Sequence, residues 1–493
     1  MNRLNLISIF KTFSRTDLYE FDKFIRSPYY NNQSTLVRLF RQIKKYYPEF
    51  NNKNFTKIKL FSSVNPGKQF NSLLFRKYIS NLTKLAEKFI FTENFSKNKM
   101  KSNLVLLEYF ENTGLNNLFL KKDKEISDLR FKKEKISIDY PVNKLTHNEI
   151  NFNFIMRIPG IGNQFSSKSL NLILENNLYV YMNFLHFFAN NLRKLYMHKF
   201  YFDISDMSLI IKELFRFIKL KDLENLEKQC SGNDKLYLKL IKYDIMMSTE
   251  NFNDFDLRNM RKTVFESDEI LNHNLLYYYL ARMNTFCSAK YSSANEFYKR
   301  VLFENYKYMV EKGLFFTDGT RKINFSEYHG IIFFALKAKE FDWAENFIAK
   351  CKKLGSVSDS ENIELYSLAL LNFYKGEFEK CLNYSSRVNM KKFFLRFGLS
   401  KITIKAMYEL NFIDMADKYA KNYKRFINTQ TGISEKFRDN ELKFLEYFNL
   451  LIHKKINHKQ YIPKSFISKL NSEFEQKSNQ WIIEKFNLLL KTD

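Results

Sequence analysis

Glycine and proline are scarce, with 12 and 6 in 493 residues. An all-β chain of this length needs many more turn residues, so the scarcity predicts long helices joined by short connections. The four cysteines, Cys230, Cys287, Cys351 and Cys381, stand at least thirty residues apart with no CxxC pair. That spacing indicates neither a disulfide framework nor a zinc site. Long apolar runs are missing too. The longest, Leu178–Ala189, has twelve residues and includes Asn183 and His186, short of the roughly eighteen a membrane span needs. Asn5 and Lys11 interrupt the first apolar stretch, and no small-residue cleavage site follows. The expectation is a soluble cytoplasmic protein without a membrane span.

Catalytic and cofactor motifs are absent in the same way. Asn65-Pro66-Gly67-Lys68-Gln69 has the Gly-Lys pair of a phosphate loop, but Ser62 replaces its first glycine and Gln69 its Ser/Thr. Gly160-Ile161-Gly162 lacks the third glycine of a dinucleotide fingerprint, Phe165 standing there. The seven histidines are scattered, and His453 and His458 are five apart, the wrong spacing for one helical face. No HExxH, no GxSxG and no carboxylate pair at acid/base spacing occurs. The sequence therefore predicts no catalytic, cofactor or metal residues and a non-enzymatic role.

Apolar residues make up 45% of the chain and aromatics 17%, which excludes wholesale disorder. The length exceeds one typical domain. Net charge is +27, unevenly spread: residues 1–100 hold 19 Lys/Arg against 6 Asp/Glu. Such a field attracts anionic partners, nucleic acid among them. A Lys- and Asn-biased composition on an ordinary solvated face gives the same count.

Residues 1–140 read as a basic helical head. Ser14-Arg15-Thr16-Asp17 can cap a helix whose buried face is Leu18, Phe21, Phe24 and Ile25, and Ser27-Pro28 stops it. The next helix turns Leu36, Leu39, Phe40, Ile43 and Tyr47 inward, with Arg38, Arg41, Lys44 and Lys45 opposite. A long helix over about 70–91 adds Arg76, Lys77, Lys84 and Lys88. These eight cations are the candidate anion or nucleic-acid face. A helical hairpin turns at Asn112-Thr113-Gly114. Periodicity fades between Ile136 and Gly162, where ISIDY suits an extended segment and IPGIG a loop, so the boundary is placed there.

Helix follows helix from 163 to 493, including Leu170–Phe200, Asp206–Lys219 and Lys235–Met247. A repeat series then occupies about 274–426, as Asn274–Leu302, Phe325–Cys351, Glu361–Val388 and Phe397–Phe426. In the third unit Leu365, Leu368, Ala369 and Phe373 share one face, the chain turns at Lys375-Gly376, and Phe378, Cys381, Leu382 and Val388 continue the pattern. A small residue in the first helix (Ala369), a Gly-acidic-aromatic turn (Gly376-Glu377-Phe378) and a small residue three later (Cys381) make this stretch resemble a tetratricopeptide repeat. The related small residues are Ala294, Ala344 and Ala416, spaced by 50, 37 and 35; the first gap implies an insertion at Phe315–Lys322. The first unit carries Arg282 where a small residue is expected, and the fourth is read as slipping by one residue at Asn411-Phe412-Ile413. Both ends of the chain, with Phe21–Asn31 (FDKFIRSPYYN) and a closing tryptophan helix over Asn479–Leu490, also resemble uncharacterised bacterial helical proteins.

The expected fold is all-α, a helical head followed by a tetratricopeptide-like α-solenoid with a C-terminal capping helix. The resemblance implies a scaffold that binds an unidentified partner protein or peptide through a groove lined by first helices. That groove would hold Tyr279, Met283, Phe286, His329, Phe333, Leu336, Tyr366, Leu370, Phe373 and Tyr374. The alternatives are that neighbouring repeats bury these residues, and that the basic head binds nucleic acid or another polyanion.

Overall fold

The computed structural model describes residues 4–132, 135–158, 162–202, 213, 216, 218–248, 252–291, 296–315, 323–354, 360–389, 393–431, 433, 435–456 and 480–491. Among these the protein is all-α, with a single isolated β-bridge, Ile136 to Leu271. Two compact units emerge. The first holds Met1–Glu134 and Asp139–Asn183, the second Lys135–Ile138, Phe184–Phe316 and Arg321–Asp493.

The first unit begins with α1 (Asn5–Thr12), α2 (Arg15–Arg26), α3 (Ser34–Lys44), α4 (Lys57–Val64) and α5 (Ser72–Lys97). Ser14 and Asp17 form the expected capping box: Ser14 Oγ accepts from the Asp17 amide at 3.0 Å, and the Asp17 carboxylate accepts from the Ser14 amide at 2.8 Å. One aromatic core holds these helices together, with Phe10, Phe21, Phe40 and Phe89 at ring distances of 4.9–5.5 Å. Edge-on packing of this kind adds to the burial term. Next come α6 (Lys99–Asn112), α7 (Asn116–Lys132), α8 (Tyr140–Arg157) and α9 (Gly162–Phe202), with Phe119 and Phe154 stacked at 3.8 Å.

The boundary differs from the expectation. Only Ile136 is paired as extended chain, its amide donating to Ile270 O at 2.7 Å. A full helix, α8, fills most of the stretch read as a boundary, and the first unit runs on to Asn183 inside α9. The reason is chemical. His147, Asn148 and Asn151 are buried alongside Ile150, Phe154 and Ile155, so the buried face of α8 is half polar and its apolar period disappears. The IPGIG loop falls at 158–162, of which 159–161 lie outside the described residues.

The second unit continues from α9 into α10 (Leu220–Gln229), α11 (Gly232–Met246) and α12 (Asp254–Glu266). Most of Asp206–Lys219 lies outside the described residues. Four hairpins follow, α13 (His273–Lys290) with α14 (Glu296–Glu311), α15 (Phe325–Lys337) with α16 (Phe341–Leu354), α17 (Ser360–Lys375) with α18 (Phe378–Arg387), and α19 (Phe393–Glu409) with α20 (Ile413–Thr429). Each second helix also packs on the first helix of the next hairpin, and α15, α17 and α19 touch in turn. The chain then runs through α21 (Glu435–Ile456) to α22 (Gln480–Lys491). Ala294 and residues 316–322 of the expected insertion Phe315–Lys322 lie outside the described residues.

The last three hairpins close alike. Lys339, Gly376 and Asn411 all take left-handed backbone, with φ of 62°, 81° and 62°. The next amide in each reaches back five residues, Glu340 to Ala335 O at 3.0 Å, Glu377 to Asn372 O at 2.8 Å and Phe412 to Met407 O at 2.9 Å. Five residues beyond the turn stand Ala344, Cys381 and Ala416, all fully buried. The fourth unit therefore does not slip. Asn411 occupies the glycine's place because asparagine tolerates the left-handed region better than most side chains. Lys339→Gly is expected to raise stability by up to about 1 kcal/mol, and Gly376→Ala to lower it by about as much. A urea midpoint that moves the other way for either variant would overturn this register.

Two close approaches join neighbouring hairpins. The Tyr306 hydroxyl lies 2.9 Å from where a Cβ on Gly330 would stand, and the Tyr366 hydroxyl lies against Gly398 in the same way. Each ring needs the missing side chain of the next first helix.

Arg282 has a partner that explains it. Its guanidinium pairs with Asp244 of α11, both side chains 2% exposed, and donates further to Asp244 O at 3.2 Å and Ser248 Oγ at 2.5 Å. Tyr278 donates to the second Asp244 oxygen at 2.5 Å.

Candidate functional site

The expected groove divides in two. Tyr279, Met283, Phe286, Leu336, Tyr366 and Leu370 are buried. In this conformation they are core and offer no surface to a partner, a correction to the first-helix groove. First helices here pack on one another as well as on their own second helices, which closes over these positions. His329, Phe333, Phe373 and Tyr374 stay half-buried. His329 stacks on Phe333 at 5.9 Å and meets the Tyr366 ring at 6.0 Å; burial lowers its imidazole to about 4, so it is neutral at pH 7.

These rings lead to lysines that the sequence reading passed over. Lys337 ends α15 and holds its ammonium 5.6 Å from the Phe333 ring and 5.1 Å from the Tyr374 ring. Lys405, in the middle of α19, is 8% exposed and sits 5.4 Å from the Phe444 ring and 5.5 Å from the Trp481 ring. No acceptor among the described residues lies within hydrogen-bonding distance of either ammonium. Burial pushes the Lys405 amine down to about 7, helped by the positive charges of Lys401 and Lys337; Glu441 and Glu484 oppose the shift without touching it. Burial also lowers Lys337, which feels Glu484 and Lys299.

The neighbouring charges are matched. Lys401 pairs with buried Glu441 at 2.5 Å, and that carboxylate also accepts from the Tyr423 hydroxyl at 2.6 Å. Lys485 and Trp481 Nε1 both reach Glu409, at 2.7 and 2.6 Å. Lys337 and Lys405 therefore stand out as lacking a carboxylate in contact among the described residues. One signal was available in the sequence: α19 is apolar nearly all round, and a lysine in such a helix has nowhere exposed to go.

The head cations lie where the helix pattern puts them. Arg38, Arg41, Lys45, Arg76, Lys77, Lys84 and Lys88 are exposed, and Lys44 is half-buried. Arg41 is partly neutralised by Asp22 at 3.5 Å, which Arg26 also meets. Lys44 lies along the Phe40 ring and reaches Leu18 O at 3.5 Å. Lys88 stands 4.9 Å from the Tyr30 ring and 5.9 Å from that of Tyr29, which is 84% exposed. The aromatics of the head thus include exposed ones beside cations.

Among the described residues no cluster of His, Cys, Asp or Glu is placed to hold a metal ion. No described helix is long and apolar enough to cross a membrane. Three cysteines are buried and Cys230 is half-buried, all as free thiols. The chain matches no family model, no curated protein and no solved structure.

Proposed function

We propose that the second unit is a protein-interaction module that takes an acidic, aromatic-containing segment of a partner on the face shared by α15, α17 and α19. One observation carries the reading: Lys405 is buried and, among the described residues, has no acceptor within hydrogen-bonding distance, Glu441 and Glu484 acting on it only from further off. An isolated ammonium in such a place is costly unless an anion joins it. A partner carboxylate seated between Lys405 and Lys337 supplies that anion. The half-buried rings of Phe333 and Tyr374 give its apolar neighbours a surface. This keeps the scaffold role the repeat resemblance implies and gives the unidentified partner segment an acidic character.

The test uses a fluorescein-labelled peptide of alternating Asp and Phe, with binding followed by anisotropy. Lys405→Met is expected to weaken it at least tenfold while leaving the fold intact or more stable, because a buried unpaired charge is removed. The pH dependence has a definite sign. The carboxylate binds the protonated amine, so affinity is level below pH 7 and falls as pH rises past it, by up to tenfold per unit. Unchanged affinity in Lys405→Met and Lys337→Glu together would remove the proposal.

A further inference from the structure

One flank of α5, running from its core residues Phe75 and Ile79 out to the exposed Arg76 and Lys84, borders a cleft of about 480 Å³ lined on the other side by Lys57 of α4 and by residues 4–5. Arg76, Ser80, Lys84 and Glu87 fall on one stripe of α5, and Lys57 opens α4 opposite them. Volumes of roughly 300–1,000 Å³ are usual for small-molecule sites. The floor is aromatic. Phe75 is buried, and Phe70, 38% exposed, stands edge-on to Phe61 at 5.5 Å with its own ring bordering the cleft.

The charges here are unspent. Among the described residues no carboxylate lies within ion-pairing distance of Lys57, Arg76 or Lys84. Three cations facing one cleft repel each other, whereas elsewhere in the head Asp22 draws in both Arg26 and Arg41. The Ser80 and Ser72 hydroxyls at the rim have no partner among the described residues either. The Asn65–Gln69 turn is no phosphate loop, yet it delivers Phe70 and Ser72 to this cleft.

We infer that the cleft between α4 and α5 is a site for a nucleoside phosphate, with Lys57, Arg76 and Lys84 on the phosphate and the Phe70 ring against the base. Arginine supplies the bidentate geometry that phosphate oxygens match, and the lysines add point charge. The rim hydroxyls and Glu87 suit a ribose. The same chemistry occurs in a free mononucleotide and at a 5′-phosphorylated strand end, and the cleft has room for one nucleotide.

The experiment is calorimetric titration of the full chain with AMP, adenosine and inorganic phosphate, and with dT12 bearing or lacking a 5′-phosphate. AMP or the phosphorylated dT12 is expected to bind at least tenfold more tightly than adenosine, phosphate or the bare strand. Whichever of the two binds more tightly identifies the source. Arg76→Glu and Lys84→Glu, both at exposed positions, are expected to lower that affinity at least tenfold without moving the thermal midpoint. Phe70→Ala is expected to reduce AMP to the level of inorganic phosphate. Neither AMP nor the phosphorylated dT12 binding more tightly than adenosine, inorganic phosphate and the bare strand, or full affinity in Arg76→Glu, would overturn the assignment.

Discussion

Arg282→Ala is expected to destabilise the second unit by roughly 3–5 kcal/mol, the usual result of stranding one member of a buried ion pair. Asp244 would keep its charge at 2% exposure with the Tyr278 hydroxyl as its remaining side-chain donor. Ser248 would also lose a donor at 2.5 Å. The converse variant is as informative. Arg282→Met, Asp244→Leu and Tyr278→Phe together remove every charge and leave no orphan hydroxyl on Tyr278, so most of the loss is expected to return. Both tryptophans, Trp343 and Trp481, belong to the second unit, and their fluorescence in a urea titration reports on that unit alone. A loss under about 1 kcal/mol in the single variant would show that water reaches Asp244.

Phe486→Ala is expected to cost about 3–5 kcal/mol, the range for truncating a fully buried phenylalanine. Among the described residues of α22, Phe486 and Ile482 are fully buried, and both enter the core formed by Phe444, Phe448, Tyr408 and Leu451. The polar side of the same helix is tied to α19 through Glu409. Losing the ring removes the apolar half of that attachment, so the fluorescence of Trp481 is expected to shift to the red at lower urea than in the parent. Coincident transitions in variant and parent would show that Glu409 alone seats the helix.

How much of this was legible depended on whether a residue's partner was near it in sequence. The capping box of α2 shows in four adjacent letters, and the hairpin turns show because Gly376 and the small residues keep a fixed offset. Helix α8 did not show, since His147 and Asn151 are buried by a hydrogen bond to Asp123, over twenty residues away in both cases. Burial works against the Asp123 charge, yet those donors hold its carboxyl below the usual range. Arg282 looked like a defect in a repeat until Asp244, 38 residues earlier, was beside it. The groove positions were read correctly as helix faces. Which faces stay open is decided by first helices meeting one another, and no spacing along the chain records that. Lys405 is the sharpest case, because a lysine is taken for surface until the rings around it are known.

The tyrosines seated on Gly330 and Gly398 have a mechanical consequence. A phenol ring is a rod of fixed length, and its hydroxyl already touches helix surface at both seats, so neither joint can shorten under load. These seats lock the first hairpin to the second and the third to the fourth. Between the second and third, the surface is bridged by Lys352 with Glu364 and Lys375 with Glu345, both 2.8 Å ion pairs on long side chains that stretch at little cost. The same middle joint also holds a buried contact, Ser367 of α17 donating to the Tyr328 hydroxyl of α15 at 3.2 Å, so it is braced by polar groups where its neighbours are braced by rings seated on glycine.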